Sequence, residues 1–178
     1  SGFAPGNGTS IAQTLTNSGT TPETVTYTIT PRANGCNGDP YTYTVTVNPV
    51  PHLLNTPPPP VCSGTTLAID LLPDVAGGDF TWTASCLPVG SVTGFTASQT
   101  AGTLLIADQL TNSGNGVSTV TYLITPHANG CNGPAAALSV PVNPVPQISC
   151  SAAQPICSGD HFASIPLISS VAGTDFAW

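Results

Sequence analysis

Val-Thr-Tyr-Thr-Ile-Thr-Pro-Arg-Ala-Asn-Gly-Cys-Asn-Gly (residues 25–38) recurs almost unchanged as Val-Thr-Tyr-Leu-Ile-Thr-Pro-His-Ala-Asn-Gly-Cys-Asn-Gly (residues 120–133). In both copies Val, Tyr and Ile alternate with other residues, which is the pattern of a strand with one buried face. The Asn-Gly-Cys-Asn-Gly segment favours a turn, because Asn and Gly tolerate positive φ. A second alternating run follows each turn, at residues 41–47 and 138–142, so each copy is predicted to form a β-hairpin.

The two hairpins belong to a longer repeat. Tyr27 and Tyr122 lie 95 residues apart, and each hairpin ends in Val-Asn-Pro-Val-Pro. The matching segments are 11–19 with 106–114, 61–64 with 156–159, and 75–82 with 171–178. Self-similarity at a fixed period is typical of tandem repeat architectures, so the chain is predicted to contain sandwich modules of ~95 residues.

Proline-rich linkers divide the chain, because Pro fixes φ and interrupts sheet pairing. They separate three parts, residues 1–49, 50–144 and 145–178. Only the middle part has all the strands of an immunoglobulin-like β-sandwich. Its predicted strands are 52–56, 66–72, 79–84, 92–97, 103–110, 118–125 and 136–142. The predicted fold class is all-β, and the predicted core anchors are Trp82, Trp178, Tyr27 and Tyr122.

The two flanking parts are complementary halves of one repeat. Residues 1–49 correspond to its last strands and residues 145–178 to its first strands. Half a sandwich exposes an apolar face and unpaired strand edges, which favours association. We therefore expect copies of the chain to complete one another head to tail, within one long tandem polymer or between separate chains by strand exchange. Both arrangements predict an open, unbranched fibre.

The composition excludes several partners. The chain has 178 residues, a net charge of −7 and one basic residue, Arg32. Nucleic acids and anionic membrane surfaces attract basic proteins, so neither is an expected partner. No apolar run approaches the ~20 residues of a membrane-spanning helix. Because the sequence has neither Met nor a signal peptide, it is interpreted as an internal piece of a longer secreted polypeptide, located outside the cell or at its surface.

Four of the six cysteines occupy repeated positions. Cys36 corresponds to Cys131, and Cys62 corresponds to Cys157. Because no metal-binding spacing is present, disulfides in an oxidising compartment are predicted. Cys62–Cys131 is the simplest pair, which leaves Cys36 and Cys157 to partners in neighbouring units. The alternative is that the pairs cross the joint between consecutive repeats, since the two positions lie at opposite ends of an immunoglobulin-like sandwich.

The other two cysteines have no counterparts in the repeat. Cys86 follows the strand that carries Trp82, and Cys150 opens the next repeat, where Asn55 stands in the other copy. These positions predict a disulfide staple across the linker.

The sequence carries no catalytic motif. Its three histidines share no spacing, and no nucleophile or phosphate-binding motif is present. A Ca²⁺ site at Asp79 or Asp175 would have one carboxylate per repeat, too few for a cation that prefers about 6–8 oxygen ligands. We therefore expect no enzyme, no metal and no cofactor. Asn7-Gly8-Thr9 fits the N-glycosylation sequon, which makes glycans candidate partners.

The repeated motifs together resemble the PKD-like repeats. They are Cys-Ser-Gly, Val-Ala-Gly-x-Asp-Phe-x-Trp, Leu-Thr-Asn-Ser-Gly, and the hairpin that ends in Val-Asn-Pro. Such repeats occur in large secreted proteins and surface adhesins of Bacteroidetes-type bacteria. The resemblance implies an exported β-sandwich module strung in tandem, and it brings no catalytic residue. The leading hypothesis is a segment of an extracellular filament or adhesin stalk, and the alternative is a glycan-binding or spacer module.

Overall fold

The computed structural model describes residues 1–152 and 155–178, and this described chain contains sixteen β-strands and no helix. The first part forms β1 (Glu23–Ile29), β2 (Arg32–Ala33), β3 (Cys36–Asn37) and β4 (Tyr41–Val47). The middle part forms β5 (Val61–Cys62), β6 (Thr66–Asp70), β7 (Asp79–Leu87), β8 (Val92–Thr93), β9 (Ser98–Thr103), β10 (Leu105–Gln109), β11 (Thr111–Asn112), β12 (Ser118–Ala128), β13 (Cys131–Asn132) and β14 (Ala136–Asn143). The last part forms β15 (Ile148–Ser149) and β16 (Ile168–Ser169). The predicted all-β class is confirmed, and none of the described residues forms a helix of the length and apolarity that crossing a membrane requires.

The middle part folds into two packed sheets and a short separate pairing of β8 with β11. The larger has the order β5–β14–β12–β7–β9, with β13 paired to β12. Its neighbours are antiparallel except β5, which runs parallel to β14. The smaller sheet pairs β6 with β10, and a bridge between Leu53 and Pro73 extends it. Pairs of strands that are distant in sequence, such as β7 with β12, give the topology of an immunoglobulin-like β-sandwich.

The core lies between these sheets and is built from alternate residues of the long strands. On β12, Val120, Tyr122 and Ile124 are fully buried, as a period of two residues requires. Phe80 and Trp82 of β7 join them, and the rings of Trp82 and Tyr122 meet edge to face with centroids 6.4 Å apart. Burying each such side chain contributes ~1.5–3 kcal/mol, so these residues dominate the stability of the middle part.

Two buried polar side chains connect the sheets. Asp108 accepts a hydrogen bond from the Tyr122 hydroxyl at 2.6 Å and two more from Thr96. Asn112 donates to the Val142 carbonyl at 2.8 Å. Burial, and next the Asp108 carboxylate, raise the pKa of the Tyr122 hydroxyl above its ordinary value. Because an unpaired buried polar group is costly, these bonds specify how the two sheets dock.

Several strands differ from the sequence prediction, and the one predicted at 92–97 forms only as β8 (Val92–Thr93). The strand predicted at 52–56 is reduced to the bridge at Leu53, because Pro57 to Pro60 offer no N–H donors. After the prolines the chain crosses to the larger sheet as β5. Strand β9 was not predicted, since its sequence Ser-Gln-Thr-Ala-Gly-Thr has no apolar alternation, and it forms because β7 offers it a free edge.

The flanking parts have strands but no closed core. β1 and β4 pair along their whole length, from Glu23 with Val47 to Ile29 with Tyr41. In the last part, β15 pairs with β16 over two residues each. Apart from the linker residues Pro49 and Pro51, the buried hydrophobic residues of the described chain lie between Leu67 and Val142. The predicted part boundaries at residues 49 and 144 stay predictions.

Candidate functional site

The candidate site is one side of the β1–β4 hairpin, called here the open face. It consists of residues that the strand register places on the same side of the sheet, namely Val25, Tyr27, Ile29, Tyr41, Tyr43 and Val45. Tyr43 is 54% exposed and Ile29 is 40% exposed. A contiguous exposed apolar surface of this kind usually marks an interaction site.

The middle part shows what covers the same face in a complete repeat. Leu138 and Ile124, the counterparts of Tyr43 and Ile29, are 1% and 0% exposed. Leu67 of β6, together with the aromatic residues of β7, packs in the same cluster. The open face therefore has the composition of a core surface, and the two strands that bury its counterpart do not cover it within the described chain.

The backbone edge of β1 is open as well. Its counterpart β12 pairs with β14 on one side and, from Thr119 to His127, with β7 on the other. Among the residues that the structure describes, β1 pairs with β4 alone. Unpaired N–H and C=O groups along such an edge are a template for one more strand.

The first part nevertheless keeps two side-chain hydrogen bonds whose counterparts occur in the middle part. The Tyr27 hydroxyl donates to Gln13 Oε1 at 2.8 Å, and Asn17 donates to the Val47 carbonyl at 2.8 Å. The corresponding bonds of the middle part are Tyr122 to Asp108 and Asn112 to Val142. These bonds hold the open face in the same way as its counterpart in the middle part, where β6 and β7 cover it.

The last part exposes apolar side chains of its own. Phe162, Ile165, Leu167 and Ile168 are all exposed. They belong to the segment that corresponds to β6 and the residues after it. This segment therefore carries an apolar surface that has no cover within the described residues.

The four predicted core anchors divide between core and surface. Trp82 and Tyr122 are buried in the core of the middle part. Tyr27 is half-buried on the open face, and Trp178 is fully exposed. The structure thus brings two of the four together and leaves the other two on the flanking parts.

The linker between the first and middle parts is packed against the β12–β13 turn. Asn48 Nδ2 donates to the Asn129 carbonyl at 2.8 Å. The Pro51 carbonyl lies against Gly133, at the place that a Cβ atom would occupy. Pro49 and Pro51 are fully buried. The joint is therefore a defined contact between consecutive repeats.

The predicted disulfide between Cys62 and Cys131 within the middle part is wrong. Cys62 lies beside Asn143, where β14 ends, whereas Cys131 lies beyond Ala128, at the other end of β12. Along the sheet, about ten strand residues separate the position of Cys62 from that of Cys131. At ~3.3 Å per residue, this distance is about 30 Å. A disulfide requires Cα atoms within ~7 Å, so the register of the sheet excludes this bond.

The remaining cysteines are unpaired too. All six thiols are free in the part of the chain that the structure describes. Cys86 packs against the core and its thiol donates to the Val92 carbonyl at 3.7 Å, while Cys150 is exposed next to β15. The predicted Cys86–Cys150 staple is not formed and stays a prediction. Cys36 and Cys157 are exposed.

The polar residues do not assemble a reaction centre. Within residues 1–152 and 155–178, no three His, Cys, Asp or Glu side chains lie close enough to hold a metal ion. Asp74 contacts the His52 ring at 3.1 Å near the first linker. Asp79 and Asp175 are exposed. Asn7 is exposed as well, and its glycosylation stays a prediction.

Sequence reasoning missed the residues that organise each repeat. Asn17 and Asn112 lie in the repeated Leu-Thr-Asn-Ser-Gly, so the repetition itself was a signal for them. Gln13 and Asp108 each accept a hydrogen bond from the tyrosine of their own copy. Because they are different residue types, a comparison of the two copies does not identify them.

Two packed sheets, of which the larger has the strand order β5–β14–β12–β7–β9, and a buried Trp define an immunoglobulin-like β-sandwich module. The family model of the PKD-like domain matches residues 1–51 and 59–146. The chain belongs to the PKD-like domain family. The fold of this family is typically that of a non-catalytic module. No curated protein matches the chain.

Proposed function

We propose that this chain is a structural segment of an extracellular filament or adhesin stalk, in which residues 155–178 of one copy cover the open face of the next. The single observation that carries the proposal is this face, which is preorganised, apolar and unpaired along the β1 edge. PKD-like domains are generally extracellular or cell-surface modules, which supports the location. Tandem sandwiches extend in one dimension, as a stalk or fibre requires.

The middle part supplies the register of the proposed contact. On β7, Trp82 pairs with Ile124 and Phe80 pairs with Pro126. The same positions in the repeat belong to Trp178 and Phe176 in the last part, and to Ile29 and Pro31 in the first part. Trp178 of one copy would then meet Tyr27 of another, as Trp82 meets Tyr122 within the middle part. Burying each large apolar side chain in this way contributes ~1.5–3 kcal/mol.

Charge supports the same register. His127 of β12 pairs with Asp79 of β7. These two positions are occupied in the incomplete parts by Arg32, the one Lys or Arg of the chain, and by Asp175. The proposed contact therefore places an arginine opposite a carboxylate, and opposite charges on cross-strand neighbours stabilise pairing by ~0.2–1 kcal/mol.

Electron microscopy of the purified chain tests the proposal. We expect unbranched fibres with an axial repeat of one or two domains. Trp178→Ser should abolish them without unfolding the middle part, since Trp178 lies outside its core. Val89→Ser is the matched control, because Val89 is also highly exposed but has no place in the proposed contact. A monodisperse monomer, or fibres that survive Trp178→Ser, would contradict the proposal.

A glycan-binding module is the second candidate, and one observation favours it. Tyr41 and Tyr43 are 66% and 54% exposed on β4, and an exposed tyrosine offers a ligand both an apolar ring and a polar hydroxyl. A glycan array distinguishes the two functions. Binding that is lost in Tyr41→Ala and Tyr43→Ala would favour recognition of glycans over assembly.

A further inference from the structure

Each end of the complete sandwich carries one cysteine of the repeat. Cys62 is the register partner of Asn143, the residue at which β14 leaves the sandwich for the next repeat. The adjacent Ser63 N–H donates to the Asn143 carbonyl at 2.8 Å, which fixes this strand beside the linker. At the opposite end, Cys131 pairs with Ala128 across the β12–β13 turn.

The joint between the first and middle parts shows how these two ends meet. Asn48 is the counterpart of Asn143, and its side chain donates to the carbonyl of Asn129, two residues before Cys131. A strand placed beside Asn48, as Cys62 is placed beside Asn143, would therefore bring its cysteine to the turn that carries Cys131. Neighbouring strands lie ~4.8 Å apart, so that cysteine would lie one strand spacing from Asn48, which itself contacts the turn, and a disulfide needs Cα atoms within ~7 Å.

We propose that the repeated cysteines form disulfides across every joint, Cys131 with Cys157 of one neighbouring copy and Cys62 with Cys36 of the other. The inference rests on the proposed head-to-tail assembly, because the strand beside Asn48 is supplied there by the last part of another copy. It also accounts for the exposure of Cys36, Cys62 and Cys157, which no disulfide within the described chain uses.

The chemistry is an ordinary thiol oxidation. In each joint, two thiols lose two protons and two electrons, and one Sγ–Sγ bond forms. The electrons pass to the disulfide of an exported thiol–disulfide oxidoreductase, which is reduced to a dithiol. Such an oxidant operates in the compartments where structural disulfides persist.

The bond would make each junction covalent. Strand addition alone is reversible, whereas a fibre with a disulfide at every joint resists dissociation until a reductant is added. Cross-linked fibres should therefore persist in detergent and separate into single chains on addition of dithiothreitol.

Peptide mapping of mixed isotopic fibres tests the pairing. Equal amounts of ¹⁴N-labelled and ¹⁵N-labelled full-length chain are assembled under oxidising conditions, digested with thermolysin without reduction, and examined by mass spectrometry. We expect Cys131–Cys157 and Cys36–Cys62 peptides, with about half of each carrying both labels, as random pairing between copies requires. Cys157→Ser should remove the first peptide and keep the second, while Cys86→Ser should remove neither.

The outcomes separate this inference from the proposed function. Fibres whose four repeated cysteines are all alkylated by iodoacetamide would overturn the disulfides and leave assembly standing. Cross-linked peptides that carry a single label throughout would overturn pairing between copies. A chain that forms neither fibres nor these peptides would overturn both.

Discussion

The hydroxyl of Tyr122 connects the two sheets of the middle part. This hydroxyl donates to the buried Asp108 carboxylate at 2.6 Å, and the Tyr122 ring packs against Trp82. Tyr122→Phe keeps the ring but removes the donor, so we expect the free energy of unfolding to fall by ~1–3 kcal/mol. Urea denaturation of the full chain measures it.

Tyr27→Phe is the matched control for that substitution. It removes the same type of hydrogen bond, to Gln13, from a site on the incomplete first part. The unfolding of the middle part should not change in this variant. Equal destabilisation by the two variants would contradict the role assigned to Tyr122.

The raised pKa of Tyr122 predicts a dependence of stability on pH. An unfolded tyrosine ionises near pH ~10, whereas folded Tyr122 keeps its proton to higher pH. The folded state therefore binds more protons above about pH 10, so the contribution is complete below that pH and is lost as pH rises further. Urea midpoints between about pH 8 and pH 11 should fall more steeply in the wild type than in Tyr122→Phe. Parallel curves would rule this out.

At the scale of elements, the linker and the β12–β13 turn act as one unit. Gly133 has no Cβ, and the Pro51 carbonyl occupies that space. Gly133→Ala should therefore displace the linker from the turn, at a cost of ~1–3 kcal/mol for overpacking. We expect faster proteolysis of the 48–56 segment and a larger spread of interdomain distances in small-angle X-ray scattering.

Gly38→Ala provides the control for the linker prediction. Gly38 holds the same position in the first hairpin, but its added Cβ would meet the Pro31 ring and no linker backbone. Proteolysis of the linker should match the wild type in this variant. If Gly133→Ala behaves identically to Gly38→Ala, the packed joint does not control the linker.

The strands also show which parts of the fold could be predicted from the sequence. Strands β12 and β14 were predictable because one face is buried and their apolar residues alternate. Strand β9 was not, because it forms at the edge of β7 and owes little to its own residues. The cysteine pairing depends on which end of the sandwich each turn occupies, and only the register of β12 with β14 and of β14 with β5 decides that.

At the scale of the whole molecule, the chain combines one closed core with two open surfaces that correspond to complementary portions of the repeat. The open face was predictable as a location because its closed counterpart lies 95 residues further on. The preorganisation of the open face was not predictable. It depends on the hydrogen bond from Tyr27 to Gln13, and the other copy has Asp108 in place of Gln13. The middle part thus serves as the template for the proposed contact between copies.

The same template predicts a charge requirement for assembly. Arg32 and Asp175 hold the positions that His127 and Asp79 pair in the middle part. Arg32→Asp should place two carboxylates opposite each other, and like charges at such positions destabilise strand pairing. We expect a higher critical concentration for fibre formation, measured by sedimentation, and an effect that weakens in about 1 M NaCl because salt screens exposed charges.

The double variant Arg32→Asp, Asp175→Arg restores opposite charges in the reverse order, so it should assemble nearly as well as the wild type. Asp160→Arg makes the same charge change as Asp175→Arg at an exposed turn residue outside the proposed strand pair, and it controls for net charge. Each exposed pair contributes only ~0.2–1 kcal/mol, but one pair at every joint makes fibre length sensitive to it. If the double variant assembles no better than Arg32→Asp alone, residues 175–178 do not pair with the β1 edge in this register, because only that register brings the two charges together.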